Sequence, residues 1–148
     1  VSLKRKINED MKTALKGGEK ERLSTLRMLV SSIRYAEIEK RKELADEDVL
    51  EVISREIKMR RQSAEEYRKG NRPDLVEKEE REAKILEGYL PPQLTEEEIE
   101  AIVRGVVDET GAMGPKDIGK VMGLVMPKVK GRADGKKVSD MVRKLLTT

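Results

Sequence analysis

The chain has 148 residues, 41% of them charged, a formal net charge of +3, and neither cysteine nor histidine. Those two absences exclude disulfides, thiolate nucleophiles, imidazole acid–base chemistry and zinc sites of the usual ligand type. With three tyrosines as its only aromatics, any core must be built from Leu, Ile, Val, Met and Ala, a palette that suits helix packing on helix and leaves little for stacking bases.

Leu3, Ile7, Met11 and Leu15 recur every fourth residue, predicting a first helix that ends at Gly17-Gly18. A second helix follows from the stripe Leu23, Leu26, Val30 and Ile33, with Leu29 beside it and a charged run from Glu37 to Glu43 leading toward solvent. Asp46 is the expected cap of a third helix with the stripe Val49, Ile53, Ile57, Ala64 and Tyr67, closing at Gly70-Asn71. Along that helix Lys58, Arg60, Arg61, Arg68 and Lys69 interleave with Glu56, Glu65 and Glu66 at intrahelical pairing distance, the pattern of a solvated face. Pro73 suits the first position of a fourth helix, whose buried edge is Leu75, Ala83, Leu86 and Leu90, before Pro91-Pro92 stops it.

The paired prolines make Tyr89 to Leu94 the natural boundary between two parts. Beyond it, Thr95 and Glu98 form a capping box for a fifth helix with the apolar face Ile99, Ile102, Val103, Val106 and Val107. Pro115 is expected to start a sixth helix, lined by Ile118, Val121, Met122 and Val125 and running to Pro127. Asp134 is the expected cap of a seventh, with the stripe Val138, Met141, Val142, Leu145 and Leu146. No strand alternation and no long repeat occur. The expected fold is all-α: an N-terminal domain of about four helices over residues 1–90, then a C-terminal three-helix bundle over 91–148. With no long apolar run and no charged-then-apolar leader, a soluble cytoplasmic protein is expected.

Charge is divided unevenly along the chain. Residues 111–148 hold nine cations and three acids, a formal +6, whereas the preceding 110 residues hold 23 cations and 26 acids. Such a tail points to a polyanionic partner. The candidate contacts are Lys116 and Lys120 on the sixth helix, then Lys128, Lys130 and Arg132, which alternate along what reads as an extended connector from Pro127 to Gly135, then Lys136 and Lys137. The first-turn amides of the seventh helix offer a phosphate site unless Asp134 occupies them as a cap. Gly119 and Gly123 lie one helical turn apart and, with Gly131, allow another backbone to approach closely. The ordinary occupant of such a groove is the fifth or seventh helix, and the functional one is a nucleic-acid backbone.

Other patterns carry less. Residues 114–121, GPKDIGKV, have the spacing of a phosphate loop, but Val121 stands where a metal-binding Ser or Thr belongs, Pro115 lacks an amide and no strand precedes them. Glu96-Glu97-Glu98 suits a helix's first turn better than a metal. No nucleophile motif occurs, so no catalytic residue, cofactor or metal is assigned.

Several runs of the tail carry a family likeness: Gly119-Lys120-Val121-Met122-Gly123, Met126-Pro127-Lys128-Val129-Lys130, Gly131-Arg132-Ala133-Asp134-Gly135, and upstream Tyr89-Leu90-Pro91. They resemble the C-terminal signature of the GatB/YqeY family, and the whole chain resembles a stand-alone YqeY-like protein. In longer relatives that tail is joined to the B subunit of the glutamine-dependent amidotransferase acting on misacylated glutamyl- or aspartyl-tRNA, where it helps engage the tRNA body. Similar tails are fused to a glutaminyl-tRNA synthetase. The resemblance implies a non-catalytic tRNA-binding module. Its alternatives are an accessory to amidotransfer, with carbon–nitrogen ligase activity inherited only by family, and an adaptor for an aminoacyl-tRNA synthetase or amidotransferase subunits. DNA and membranes are not expected partners.

Overall fold

The computed structural model describes residues 2–147, which form seven α-helices and one short 3₁₀ turn, with no strand among them. The helices are α1 Leu3–Lys16, α2 Lys20–Lys40, α3 Asp46–Lys69, α4 Pro73–Glu87, α5 Glu96–Thr110, α6 Ile118–Val129 and α7 Gly135–Thr147, and the 3₁₀ turn spans Pro115–Asp117. Two compact units result, Val1–Leu90 and Pro91–Thr148.

In the first unit α1 packs on α2 and α3 on α4, and these pairs share one core. Ile7, Leu26, Leu29, Ile33, Val49, Ile53, Ala83 and Leu86 fill it. The core is closed by Tyr89, just past α4, whose hydroxyl donates to Asp10 at 2.6 Å. Burial and the neighbouring carboxylate push that phenol above the ordinary 10.0. The folded state therefore holds the proton more tightly than the unfolded chain, and the stability this confers is complete below pH 10 and lost as pH rises beyond it. Tyr89→Phe should cost about 1.5–3 kcal/mol at neutral pH, the range for a hydrogen bond to a charged group. Urea unfolding of the variant should also show a smaller decline in stability above pH 10 than the wild type.

Four sequence expectations change here. Asp46 is not the cap of α3: Ala45 holds that position, and the Asp46 carboxylate accepts the Leu3 amide at 2.9 Å, serving α1 instead. The Glu37 end of α2 is tied down, because its carboxylate accepts Lys4 Nζ at 2.7 Å and the Leu44 amide at 2.8 Å. Those two donors hold Glu37 below the usual carboxylate range. The fourth helix ends at Glu87, before Leu90.

The largest change concerns α3, whose charged residues are not all solvated. Glu56 and Arg60 are buried. Arg60 donates to Glu56 Oε2 at 2.8 Å and to Glu82 Oε2 on α4 at 3.2 Å, while Ser32 on α2 donates to Glu56 Oε1 at 2.5 Å. Arg61 and Arg68 also reach across to Glu87 and Glu80 of α4. Spacing along one helix reports what can pair, not whether a second helix covers the pair.

The second unit is built from three residues per helix at nearly regular turns: Ile99, Val103 and Val106 on α5, Val121, Val125 and Val129 on α6, and Val138, Val142 and Leu146 on α7. Each of these helices packs on the other two. The capping box at Thr95 forms as expected, Thr95 Oγ1 accepting the Glu98 amide at 3.1 Å and Glu98 accepting the Thr95 amide at 3.2 Å.

Candidate nucleic-acid interface

The basic tail lies wholly in this second unit, and α6 organises it. Pro115 opens the 3₁₀ turn and not the α-helix itself, and the Asp117 carboxylate accepts the Met113 amide at 3.1 Å. From Ile118 the stripe Val121, Val125 and Val129 faces the core with no exposure. Helical period then dictates the outer face. Lys120, Leu124 and Lys128 succeed one another every fourth residue of α6, about 6 Å apart along the axis, and Lys116 precedes them in the 3₁₀ turn. Gly119, Gly123 and Pro127 run beside them, and all seven residues are exposed.

Neither α5 nor α7 fills the glycine groove. A Cβ at Gly119 or Gly123 would meet nothing within 4 Å, so the expected packing against the fifth or seventh helix does not occur. Pro127 lies inside α6 and does not end it. It has no amide to donate to the Gly123 carbonyl, one turn earlier. The outer face of α6 thus has no side chain at Gly119 and Gly123 and is edged by lysines.

The connector is shorter than expected, because residues 127–129 are helical and Lys128 belongs to α6. What remains is a clamped turn. Gly131 adopts a left-handed backbone, φ 76°. Its carbonyl accepts Gln93 Nε2 at 3.1 Å, and the Arg132 carbonyl accepts the Leu94 amide at 2.8 Å. Arg132 projects into solvent, while Lys130 is half-buried. Gln93 was not a candidate, since a single amide after two prolines carries no signal of a partner 38 residues away.

At the start of α7, Asp134 acts as the cap: its carboxylate accepts the Lys136 amide and its carbonyl the Val138 amide, both at 3.1 Å. The Lys136 amide of that first turn is accordingly committed within the chain. Lys136 and Lys137 are exposed but point to different neighbours. Lys137 lines a shallow groove with Glu96, Glu97 and Glu100 of α5 and Asp140 of its own helix, apart from the α6 lysines. Arg143, absent from the candidates, stands two turns beyond Lys136 on the same exposed side, a seven-residue spacing legible in the sequence. Among the described residues Lys116, Lys120, Lys128, Arg132 and Lys136 take part in no ion pair, whereas Arg60, Arg61, Arg68 and Arg81 of the first unit all do.

The chain matches the family described as Yqey-like protein over residues 4–146. It belongs to that family. It is 32% identical over 144 residues to altered inheritance of mitochondria protein 41 of Pyrenophora tritici-repentis, spanning 95% of this chain and 79% of that one. It is 37% identical over 112 residues to the protein of the same name in Lachancea thermotolerans, spanning 74% and 60%. The glutamyl-tRNA(Gln) amidotransferase E subunit of Methanocaldococcus jannaschii is 42% identical over 57 residues, 36% of this chain and 9% of that protein.

The amidotransferase likeness thus reaches a second kind of polypeptide, beyond the B subunit that the tail resembles. Most of that archaeal protein lies outside the match, so its activity is not carried to this YqeY-like chain. The names of the first two relatives carry the word mitochondrial, which does not fit a plain cytoplasmic expectation. No helix among the described residues is long and apolar enough to cross a membrane.

Proposed function

We propose that residues 91–148 form a three-helix, non-catalytic module that binds tRNA by its sugar–phosphate backbone. The observation that carries this reading is the bare glycine groove of α6, open to solvent and bordered by Lys116, Lys120 and Lys128. A backbone carrying a phosphate at each step fits cations set along one exposed edge, and contacts of this kind read shape instead of sequence. Arg132 and Lys136, both exposed, add two further cations to the unit. Kinship with a protein named for an amidotransferase of glutamyl-tRNA(Gln) supports tRNA as the polyanion.

The test is tRNA binding by fluorescence anisotropy across a salt series. Neutralising about four to six phosphates gives a slope of log affinity against log salt of roughly −3 to −5. Replacing Lys116, Lys120 and Lys128 together by Ala should flatten that slope by about 2–3. Unchanged affinity and slope in a triple variant with intact helical circular dichroism would overturn the assignment. A second reading, as an accessory to amidotransfer, is favoured by the archaeal amidotransferase match alone. It requires that the purified chain accelerate glutamine-dependent amidation of charged tRNA by an amidotransferase, and no acceleration counts against it.

A further inference from the structure

The first unit has a surface of its own that the tail does not explain. From Lys20 to Ile38 the exposed positions of α2 carry no acid. Among them are Met28, Tyr35 and Ile38, each more than half exposed. Met59 on α3 is more than half exposed too. The antiparallel seam of these helices is set by Ser32 against Glu56 and by Met28 Sδ against Arg60 at 3.9 Å. Met59 precedes Arg60 by one residue on α3. Arg27 and Arg34 flank the apolar residues on α2, and Arg55 does so on α3. Among the described residues none of these three arginines is in an ion pair.

Isolated exposed apolar residues need no explanation, but four on one helix pair, interleaved with exposed arginines outside any ion pair, do. Tyr, Met and Arg are the residues enriched where proteins meet, and Arg and Tyr are frequent energetic anchors. We propose that the outer face of α2 and α3 docks an amphipathic helix of a partner protein carrying acids beside its apolar stripe. Charge selects this occupant. A second copy of the chain meeting face to face would set arginine against arginine, since a two-fold contact pairs a patch with itself. RNA would leave Met28, Ile38 and Met59 against phosphates, with Tyr35 alone to stack on a base.

A photo-crosslinking side chain placed at Ser31 of the 148-residue chain, in the middle of the face, tests the proposal in cell extract. The expected product is an adduct with a protein segment of net negative charge and helical apolar period, located by mass spectrometry. That segment, made as a synthetic peptide, should bind the purified protein and lose at least tenfold in affinity with Arg27→Glu/Arg34→Glu. It should lose a similar amount with Tyr35→Ala. Circular dichroism checks the fold of both variants, and alanines at Lys116, Lys120 and Lys128 should leave the peptide affinity unchanged. Adducts only with RNA, only with a second copy or with nothing would overturn the proposal, as would a peptide indifferent to the charge reversal.

Discussion

Gly119→Ala/Gly123→Ala is expected to make the second unit more stable and a poorer RNA binder. Glycine inside a helix destabilises by roughly 0.5–1 kcal/mol relative to alanine, through the freedom it loses on folding. Both positions are helical, exposed and without a neighbour that a methyl group would strike. The pair should therefore gain about 1–2 kcal/mol, several degrees in Tm for a unit of this size. Two methyl groups would at the same time stand in the groove where a nucleic-acid backbone is proposed to lie, so affinity for tRNA should fall severalfold while the lysines remain. Calorimetry and anisotropy on the same preparation read the two effects. A variant that is more stable and binds as well as the parent would show that the glycines have no part in binding.

The opposite outcome is expected in the first unit when its buried cation is removed. Arg60→Met would leave Glu56 and Glu82 facing each other in a site from which water is largely excluded, their side chains only 12% and 13% exposed. Breaking a buried ion pair from one side costs about 3–5 kcal/mol, because the remaining charge stays desolvated. That is a large share of the roughly 5–15 kcal/mol typical of a folded domain. Replacing Glu56 and Glu82 by Leu as well should recover most of the loss, since apolar packing can substitute for the triad. Urea midpoints of the single and triple variants decide it, and a single-variant loss below about 1 kcal/mol would mean that water reaches the cluster. Glu79 lies nearby and is pushed above its usual range by burial and by the charge of Glu82.

These contrasts mark where sequence was legible and where it was not. Periodic valines and leucines, the Thr95–Glu98 box and the glycine stops each act within a few residues, and the helices they predict are present. Asp46 failed as a cap because its carboxylate serves Leu3, 43 residues away, and nothing in its own neighbourhood signals that. Arg60 looked solvated because a charge pattern is the same whether or not another helix covers it. Pro127 reads as a stop, but α6 continues through it to Val129, two residues on, where the apolar stripe makes its last core contact. In the tail, composition identified the cations. Only the helical phase of α6 showed which of them share a face, and it left Lys137 among the acids of α5.

Those acids have a consequence for how an encounter begins. α5 carries Glu96, Glu97, Glu98, Glu100, Asp108 and Glu109 against one arginine, while α6 and the turn after it are basic. The second unit is thus electrically two-sided, and an approaching polyanion is repelled from one side and attracted to the other before any contact forms. Long-range orientation of this kind speeds productive collisions and weakens steeply as ions shorten the reach of the field. Added salt should accordingly slow association early in a titration, while the lifetime of the bound state changes less.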